Sequence, residues 1–400
     1  MNDSRVFTPL KLENIILPNR LIRSATFEGM GDNNGVPSAG LADLYKTLAL
    51  NDVGTIITGF CYISVDGKAM HPGQCGIDSD GKIKPWKRIV DEVKKSNPDT
   101  ILIMQIAHSG RQTLERVTGT RPVSASATRS PYFRERAIEM DGEAISKVVN
   151  SFAEAARRAR ESGFDGVQLH AAHGYLIHQF MSPAMNRRKD HWGRDSCAFP
   201  EVVLRAIKDA CGVDFPVFIK VSGRDDGSDG LRPEMVGDCL RRLEDPGLEA
   251  AEISYGTMDL AFNIFRGTIP IDRVFDHNLF FKDYPAIVKR GWKKFVFPGM
   301  KKKFIPFSEA YNLKLAEEIR NRTEIPLVLV GGLRRLESIE TILRLGVCDA
   351  VSMCRPLICE PDLVRRFKNG EASASQCTNC NTCAVMCDSG EPLQCYTRRS

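Results

Sequence analysis

Cysteines are concentrated near the C-terminal end of this chain. Five of its 13 cysteines fall within 19 residues: Cys377, Cys380, Cys383, Cys387 and Cys395. The pattern Cys-x2-Cys-x2-Cys places three thiolates on one tight loop. After eleven intervening residues a fourth cysteine arrives from a return segment, as a cubane iron–sulfur cluster requires. We therefore predict that Cys377, Cys380, Cys383 and Cys395 bind a cluster and that Cys387 is left over.

The spacing leaves two other interpretations of these thiols open. The same residues could bind zinc, or they could be unligated or paired in disulfides. The remaining eight cysteines are scattered singly through apolar segments, as Cys61 and Cys348 illustrate. Such positions are typical of buried free thiols in a reducing compartment, so a secreted disulfide scaffold is not indicated.

A second group of chemically capable side chains follows the apolar, β-branched runs of the chain. These residues are Ser24, Ala25 and Thr26, then Gln105, then His170, His173 and Tyr175, then Lys220, then Gly331 and Gly332, and finally Arg355. They offer hydrogen bonds, a fixed cation, two imidazoles, a phenol and, at the glycines with the arginine, a phosphate site. Because no third ligand stands near the histidines, we expect them to hold a substrate oxygen and not a metal.

These residues meet only if the runs form a barrel. The eight runs are residues 21–26, 53–61, 100–108, 164–170, 215–222, 250–255, 325–332 and 348–356. Amphipathic segments such as residues 143–162 separate most of them, so strand and helix alternate. A doubly wound sheet would normally show a Gly-x-Gly-x-x-Gly turn after its first strand, and none follows here. We predict a (β/α)8 TIM barrel, in which the active site lies at the C-terminal strand ends.

Two connections are too long to be simple turns, residues 109–140 and residues 256–306. In a barrel both would overhang the catalytic mouth as lids. We divide the chain into a barrel over residues 1–368 and a cysteine-rich metal or iron–sulfur segment over residues 369–400.

Composition excludes several classes of protein. The chain has 400 residues, is 42% hydrophobic and carries a formal charge of only +5, so nucleic-acid binding is not indicated. One basic cluster stands out, Lys289, Arg290, Lys293 and Lys294 with residues 301–303, which is either a solvated surface or an attractor of anions or a partner. Neither a signal peptide nor a membrane-spanning run is evident, so we expect a cytoplasmic protein.

Several motifs carry a family resemblance. The segments 164–176 (FDGVQLHAAHGYL), 186–190 (NRRKD) and 192–193 (WG) closely resemble the old yellow enzyme, or NADH:flavin oxidoreductase, family. Supporting segments at residues 7–10, 18–20, 105–111, 330–332 and 355–357 follow in the expected order. The resemblance extends over about residues 5–396 and is highly specific.

The resemblance implies a non-covalent FMN in the barrel mouth. The resemblance implies contacts of Ser24, Ala25, Thr26 and Gly59 with the isoalloxazine edge. Gln105 would contact the pyrimidine end, and Lys220 would lie near N1 and O2. The phosphate end would be held by Gly331, Gly332, Cys354 and Arg355. Lys220 stands where many members have arginine, and either cation would stabilise an anionic reduced flavin. His170 and His173 would bind the substrate oxygen, and Tyr175 would donate a proton.

Two positions depart from the family pattern. Phe27 stands where relatives place a cysteine, threonine or histidine, and in the trimethylamine dehydrogenase branch that cysteine links to FMN covalently. We therefore expect a dissociable flavin. Cys354 stands where a glycine commonly precedes the arginine, so its side chain could crowd the phosphate near Arg355.

The tail resembles the branch that contains 2,4-dienoyl-CoA reductase and trimethylamine dehydrogenase, whose barrels carry a 4Fe-4S cluster on a Cys-x2-Cys-Asn segment. Asn381 occupies that asparagine position. Those relatives continue into further flavin- and nucleotide-binding domains, whereas this chain ends at Ser400. We therefore expect any electron partner, such as a ferredoxin or a flavoprotein, to be a separate molecule. NADH or NADPH is the other possible donor, and the resemblance favours self-association into a homo-oligomer.

These observations predict an FMN-dependent reductase of activated C=C bonds, in enones or enoyl thioesters. One alternative is a dehydrogenase that oxidises an amine or similar donor and passes electrons through the cluster to a carrier. Another is an electron-transfer subunit, which would be favoured if residues 256–306 exposed an apolar patch with Phe280, Phe281, Trp292 and Phe295.

Overall fold

The computed structural model describes residues 4–397 and contains a closed barrel of eight parallel strands. The barrel strands are β1 (Leu21–Arg23), β2 (Thr55–Ile57), β3 (Ile101–Ala107), β4 (Gly166–Ala171), β5 (Val217–Ser222), β6 (Ala250–Ser254), β7 (Leu327–Val330) and β8 (Ala350–Met353). Each strand pairs in parallel with its neighbours in sequence, and β8 pairs with β1 to close the ring. The predicted (β/α)8 fold is confirmed.

The barrel strands are buried on both faces. From β4 to β8 every strand residue is buried, as expected when one face packs in the barrel interior and the other against helices. At the N-terminal end of the barrel, the short antiparallel pair Leu10–Lys11 and Ile16–Leu17 closes the interior. Leu17 packs there with Ile22, Ile103 and Phe218 in one apolar cluster.

Helices form the outer layer. The main ones are Ala39–Ala49, Ile83–Ser96, Gly142–Glu161, Ala198–Cys211, Pro233–Glu244, Leu313–Arg320, Leu336–Leu345, Arg355–Cys359 and Leu363–Lys368. Gly142–Glu161 begins after Asp141, whose carboxylate accepts a hydrogen bond from the backbone N–H of Ala144 and so caps the helix. Its buried face carries Ile145, Val148 and Phe152, which recur at helical spacing.

The two long connections contain short elements of their own. Residues 109–140 include the helix Glu115–Thr118 and a small parallel pair, Val123–Ser124 with Ile138–Glu139. Residues 256–306 include the helical turn Met258–Asn263 and the helices Ile271–His277, Ala286–Phe295 and Phe297–Lys301. The Ser130 hydroxyl donates to Asp259 at 2.6 Å, so the two connections contact each other over the barrel mouth.

Several boundaries differ from the sequence prediction. The predicted strand 53–61 is split into Thr55–Ile57 and Cys61–Tyr62, the second of which pairs with the end of β3. The other strands differ from the predicted ranges by one to three residues at their ends. Smaller elements complete the chain: helices Leu176–Met181, His191–Arg194 and Thr382–Val385, and helical turns Arg5–Phe7, Val65–Gly67, Asp80–Lys82 and Met386–Asp388.

The expectation that all eight scattered cysteines are free thiols is wrong. Cys197 and Cys239 form a disulfide between two neighbouring helical segments, with their Cα atoms 5.3 Å apart. Cys197 directly precedes the helix Ala198–Cys211, and Cys239 lies in Pro233–Glu244, which packs beside it. Cys61, Cys75, Cys211 and Cys348 are buried and free, as predicted, whereas Cys354 and Cys359 are only partly buried.

Candidate functional site

A cavity of about 710 Å³ opens at the C-terminal ends of the barrel strands. Eleven of the residues predicted to bind cofactor or substrate line it: Ala25, Thr26, Gln105, His170, His173, Tyr175, Lys220, Gly331, Gly332, Cys354 and Arg355. Ser24 and Gly59 lie behind this wall. The Gly59 N–H donates to Glu28 at 2.9 Å, and a side chain at Gly59 would collide with that carboxylate.

The bottom of the cavity is a network of polar side chains from adjacent strands, which we call the floor network: Ser24, Gln105, Gln168, Lys220, Glu252 and Ser352. Its centre is Glu252, which is only 2% exposed and accepts hydrogen bonds from Ser24 at 2.5 Å and Ser352 at 2.6 Å. The ammonium of Lys220 lies 3.3 Å from Glu252 and donates to Ser24 at 2.8 Å.

Strand register assembles this network. Lys220 is paired with Glu252 across β5 and β6, and Gln105 with Gln168 across β3 and β4. The amide of Gln168 then donates to Glu252 at 3.0 Å and accepts from Gln105 at 2.7 Å. Burial alone would raise the pKa of Glu252, but Lys220 and these donors outweigh it and lower that pKa. The floor network therefore holds a fixed, paired charge beneath the cavity.

His170, His173 and Tyr175 converge on the cavity above the floor network. The rings of His170 and His173 are 5.1 Å apart between centroids, and those of His170 and Tyr175 are 4.6 Å apart. His173 has a left-handed φ of 62° that turns the chain sharply after β4. Its Nε2 lies 2.8 Å from the Ser254 hydroxyl, which fixes the ring.

Electrostatics keep this trio uncharged. Burial and the Lys220 ammonium lower the pKa of His170, and burial followed by the neighbouring His170 and Lys220 lowers that of His173. Burial, with a smaller effect of Cys387, raises the pKa of Tyr175. Within residues 4–397, Nδ1 of His170 is buried without a hydrogen-bond partner. The site thus offers neutral imidazoles and a protonated phenol, which are hydrogen-bond and proton donors to a bound molecule.

One end of the cavity is suited to an anion. Gly331 and Gly332 have φ of 123° and 74°, and side chains there would collide with Tyr311 or with the backbone of Ser308. These glycines therefore have a packing role as well as leaving the backbone open. Arg355 brings a positive charge to the same wall, and its Nη1 donates to the Arg266 carbonyl at 2.8 Å.

The tail cysteines lie beside this end. Cys377, Cys380, Cys383 and Cys395 line one pocket of about 210 Å³, together with Cys359. Cys383 and Arg355 line both this pocket and the main cavity, so the two share a wall. Asn381 joins the tail to the long connection 256–306, which we call the lid. Its amide donates to the carbonyls of Phe265 and Thr268 at 2.9 and 3.1 Å.

The spacing of these thiols bears on the choice of metal. Over residues 4–397, no three of the tail cysteines have sulfur atoms all within 4.8 Å of one another. Four thiolates on one zinc ion would lie about 3.8 Å apart, given tetrahedral Zn–S bonds of about 2.3 Å. A cubane cluster carries its four thiolates on different iron atoms, so it accepts a wider set.

The sequence profile of the NADH:flavin oxidoreductase / NADH oxidase family matches residues 5–252. That range contains every residue of the floor network except Ser352, and it contains the trio His170, His173 and Tyr175. The chain belongs to this family. It is an FMN-dependent oxidoreductase, as the sequence motifs predicted.

Two relatives of the family illustrate its breadth. NADH oxidase of Thermoanaerobacter brockii is 27% identical over 393 residues, which cover 97% of this chain and 54% of that protein. The 4,4'-dithiodibutanoate disulfide reductase of Rhodococcus erythropolis is 28% identical over 391 residues, which cover 94% of this chain and 92% of that protein. The chain thus spans about half of the first relative and nearly all of the second.

A solved structure of 2-naphthoyl-CoA reductase has the same fold. It superposes with a TM-score of 0.80 at 22% identity, covering 98% of this chain and 57% of that one. In the present chain, no helix among the described residues 4–397 is long and apolar enough to cross a bilayer.

The residues present fit an FMN. The cavity has cationic groups at the floor (Lys220) and at one end (Arg355), an open glycine backbone beside the latter, and the aromatic rings of Phe27 and Phe60 on its wall. Its volume lies within the range of about 300–1,000 Å³ that ligand sites occupy. Phe27 supplies no thiol, so no covalent link to the flavin can form at that position.

Sequence reasoning missed several residues of the site. Glu252 could have been found, since an acidic residue inside a buried apolar strand needs a partner. His71, Asp388 and the left-over Cys387 also line the cavity, although they come from an irregular loop and the tail. We call His71, Cys387 and Asp388, together with Asn278 and Tyr132, the rim cluster.

Proposed function

We propose that the protein reduces activated C=C bonds in enones or enoyl thioesters. The observation that carries this proposal is the neutral pair His170 and His173 beside the protonated Tyr175, all facing the cavity above the floor network. A conjugated carbonyl needs a hydrogen-bond donor at its oxygen and a proton source at its α carbon, and this trio supplies both.

Gln105 and Lys220 at the floor, Ala25 and Thr26 on the wall, and Gly331, Gly332 and Arg355 at the anion-binding end would hold the FMN. Bound FMN supplies the hydride that the β carbon of the substrate accepts. Lys220 would stabilise negative charge on the flavin, and Glu252 keeps that ammonium in place by pairing with it. Ser24 supports the same ammonium from below, so its role is indirect.

His170 and His173 would bind the substrate oxygen. Both imidazoles line the cavity, and the ring of His173 is fixed by Ser254. As negative charge develops on that oxygen, the hydrogen bonds strengthen and lower the barrier. Tyr175 would then donate its phenolic proton to the α carbon. Burial raises the pKa of Tyr175, so the hydroxyl is protonated before the reaction.

The double variant His170→Ala plus His173→Ala tests this assignment. We expect turnover of 2-cyclohexenone to fall at least about 100-fold while FMN content stays at the wild-type level, because oxygen binding is lost and the floor network is untouched. The exposed His191→Ala is the matched control and should keep full activity. Normal turnover of every accepted alkene by the double variant would remove these histidines from the mechanism.

We further propose that Cys377, Cys380, Cys383 and Cys395 bind a 4Fe-4S cluster. The pocket that these four thiols line together and the spacing of the cysteines in the sequence support this. Zinc at the same thiols is the alternative occupant. A cluster there would be adjacent to the anion-binding end of the proposed FMN site, so electrons could come from an external ferredoxin or flavoprotein as well as from NADH or NADPH.

A second candidate function follows from that pocket. With a cluster in place, the enzyme could run as a dehydrogenase or electron-transfer subunit that exchanges electrons with an external carrier. Phe280, Phe281 and Trp292 line the cavity, which favours a substrate lid, but Phe295 is 76% exposed. Stopped-flow reduction by NADH, NADPH and reduced ferredoxin separates the alternatives. Fast reduction by a pyridine nucleotide favours the self-contained reductase, and fast reduction by ferredoxin alone favours the carrier-linked enzyme.

A further inference from the structure

The rim cluster brings three different donor groups to one point. Nδ1 of His71 lies 2.7 Å from a carboxylate oxygen of Asp388, and Sγ of Cys387 lies 3.9 Å from each of these atoms. An ordinary ion pair explains only the first contact. The Cys387 thiol approaches the same Asp388 oxygen and the same Nδ1, so a thiol, an imidazole and a carboxylate converge on one point.

We propose that His71, Cys387 and Asp388 form a binding site for a divalent metal ion, with zinc as the chemical class that fits. A triangle with sides of 2.7, 3.9 and 3.9 Å has a central point about 2.1 Å from every corner, which is close to zinc bond lengths of about 2.0–2.3 Å. Thiolate, imidazole and carboxylate together suit zinc better than the hard cations magnesium and calcium.

Charge and surroundings support the same conclusion. His71 and Asp388 are each 8% exposed, and a bound zinc ion would be neutralised by one thiolate and one carboxylate. Asp388 is fixed from behind, because its second oxygen accepts from Asn278 at 2.8 Å, and Asn278 also donates to Tyr132 at 2.7 Å. Metal-binding carboxylates are usually held by such outer hydrogen bonds.

The site opens toward the main cavity. All three ligands line it, and the ring of Phe60 contacts both His71, at 6.2 Å between centroids, and Tyr175, at 5.6 Å. Three protein ligands with one open position is the arrangement of catalytic zinc sites. The open position would accept an oxygen or sulfur donor of a molecule in the cavity. On binding, Cys387 loses its thiol proton to the buffer, so affinity should rise with pH.

This site is distinct from the tail pocket, because neither His71 nor Asp388 lines that pocket. The inference does not depend on the proposed alkene reduction. Zinc binding and alkene turnover can therefore fail separately.

Equilibrium dialysis of the FMN-loaded protein against zinc chloride tests the proposal. Zinc per chain is measured for the wild type, for His71→Gln and for the exposed control His191→Gln. Any zinc held by the tail cysteines is common to all three proteins. We expect His71→Gln to bind one zinc fewer than the other two, with unchanged FMN content. Equal zinc content in all three would overturn the site.

A measurement on the wild type alone covers the case in which His71→Gln fails to fold. The rate of alkylation of Cys387 by iodoacetamide is followed by peptide mass spectrometry with zinc, with magnesium and without added metal. We expect zinc to slow alkylation at least about tenfold, because a coordinated thiolate is shielded, and magnesium to have no effect. An alkylation rate that zinc leaves unchanged would show that Cys387 is not a ligand.

Discussion

The floor network and the rim cluster bound the same cavity but are built in different ways. The floor joins side chains that are register partners on adjacent strands, such as Lys220 and Glu252, so the barrel ladder fixes their separation. The rim joins His71 to Asp388 across 317 residues of sequence, with Asn278 and Tyr132 from the two long connections.

This difference teaches where precision and adaptability lie in the molecule. A cofactor that stays bound through many turnovers is best held by groups on a rigid scaffold, and the floor is one. Substrates vary more, and loops change more readily than strands. We expect disturbances of the floor to affect stability and flavin binding, and disturbances of the rim to affect what enters the cavity.

Removal of the central floor carboxylate should have the largest effect. Glu252→Ala leaves the Lys220 ammonium buried without its partner, so we expect the free energy of unfolding to fall by about 3–5 kcal/mol. Denaturant titration of the flavin-free protein measures it. The exposed ion pair of Arg322 with Asp238 provides a control, since Asp238→Ala should cost less than about 1 kcal/mol. A similar small loss for Glu252→Ala would mean that the floor is not a paired-charge network.

Acid should lower the free energy of unfolding through His108, which directly follows β3. Burial lowers the pKa of His108 to about 4, below the ordinary histidine value near 6.5. Between these values the unfolded chain binds the proton and the folded chain does not, so stability falls as pH drops from about 6.5 to about 4. The loss should reach about 3 kcal/mol.

Unfolding free energies at a series of pH values test that sign. His108→Asn should remove about 3 kcal/mol of the acid-induced loss of stability and leave the part that His170 and His173 contribute through their own lowered pKa values. The exposed His191→Asn should leave the profile as in the wild type. If His108→Asn kept the full slope, the pH dependence would belong to other groups.

Removal of the proposed proton donor, Tyr175, should affect substrate reduction and leave the flavin bound to the floor network unaffected. Tyr175→Phe removes the hydroxyl but keeps the ring, so we expect turnover of an enone to fall about 100-fold with the rate of flavin reduction unchanged. Rapid-mixing measurement of the two half-reactions separates these rates. Tyr62→Phe, whose hydroxyl donates to the Asn34 carbonyl outside the cavity, is the control. Equal slowing of both half-reactions would indicate a structural effect.

Replacement of Asn381, which joins the tail to the connection 256–306, should have a smaller effect on the free energy of unfolding. Asn381→Ala removes two donors to lid carbonyls and the acceptor for Arg355, and it places a non-glycine side chain that lacks polar groups at a φ of 60°. We expect a loss of about 1–3 kcal/mol in unfolding free energy. Asn369→Ala, at an exposed side-chain pair with Glu371, should change it by less than about 0.5 kcal/mol. No difference between the two variants would mean that Asn381 does not anchor the tail.

Much of the barrel and its floor followed from the sequence because both depend on local pattern. Short apolar runs locate the strands, and the polar residue that ends each run reaches the mouth by the geometry of the fold. Thus Gln105, His170 and Lys220 were predicted on the cavity wall, where they lie.

The rest depended on contacts between distant segments. Nothing near His71 or Cys387 in sequence signals that they meet, and Cys197 and Cys239 were assigned as separate thiols although two neighbouring helices bring them together. Glu252 was an intermediate case, because its type signalled a buried partner but only the strand register identified Lys220.

Analysis of cofactor content tests the central claim most directly. Protein purified without oxygen is assayed for FMN, iron, acid-labile sulfide and zinc, and its visible spectrum is recorded before and after dithionite. The account predicts one FMN released on denaturation, together with about four iron and four sulfide per chain. FMN with zinc but no iron would contradict the cluster assignment. A protein that remains empty after reconstitution with FMN would contradict the account of the cavity itself.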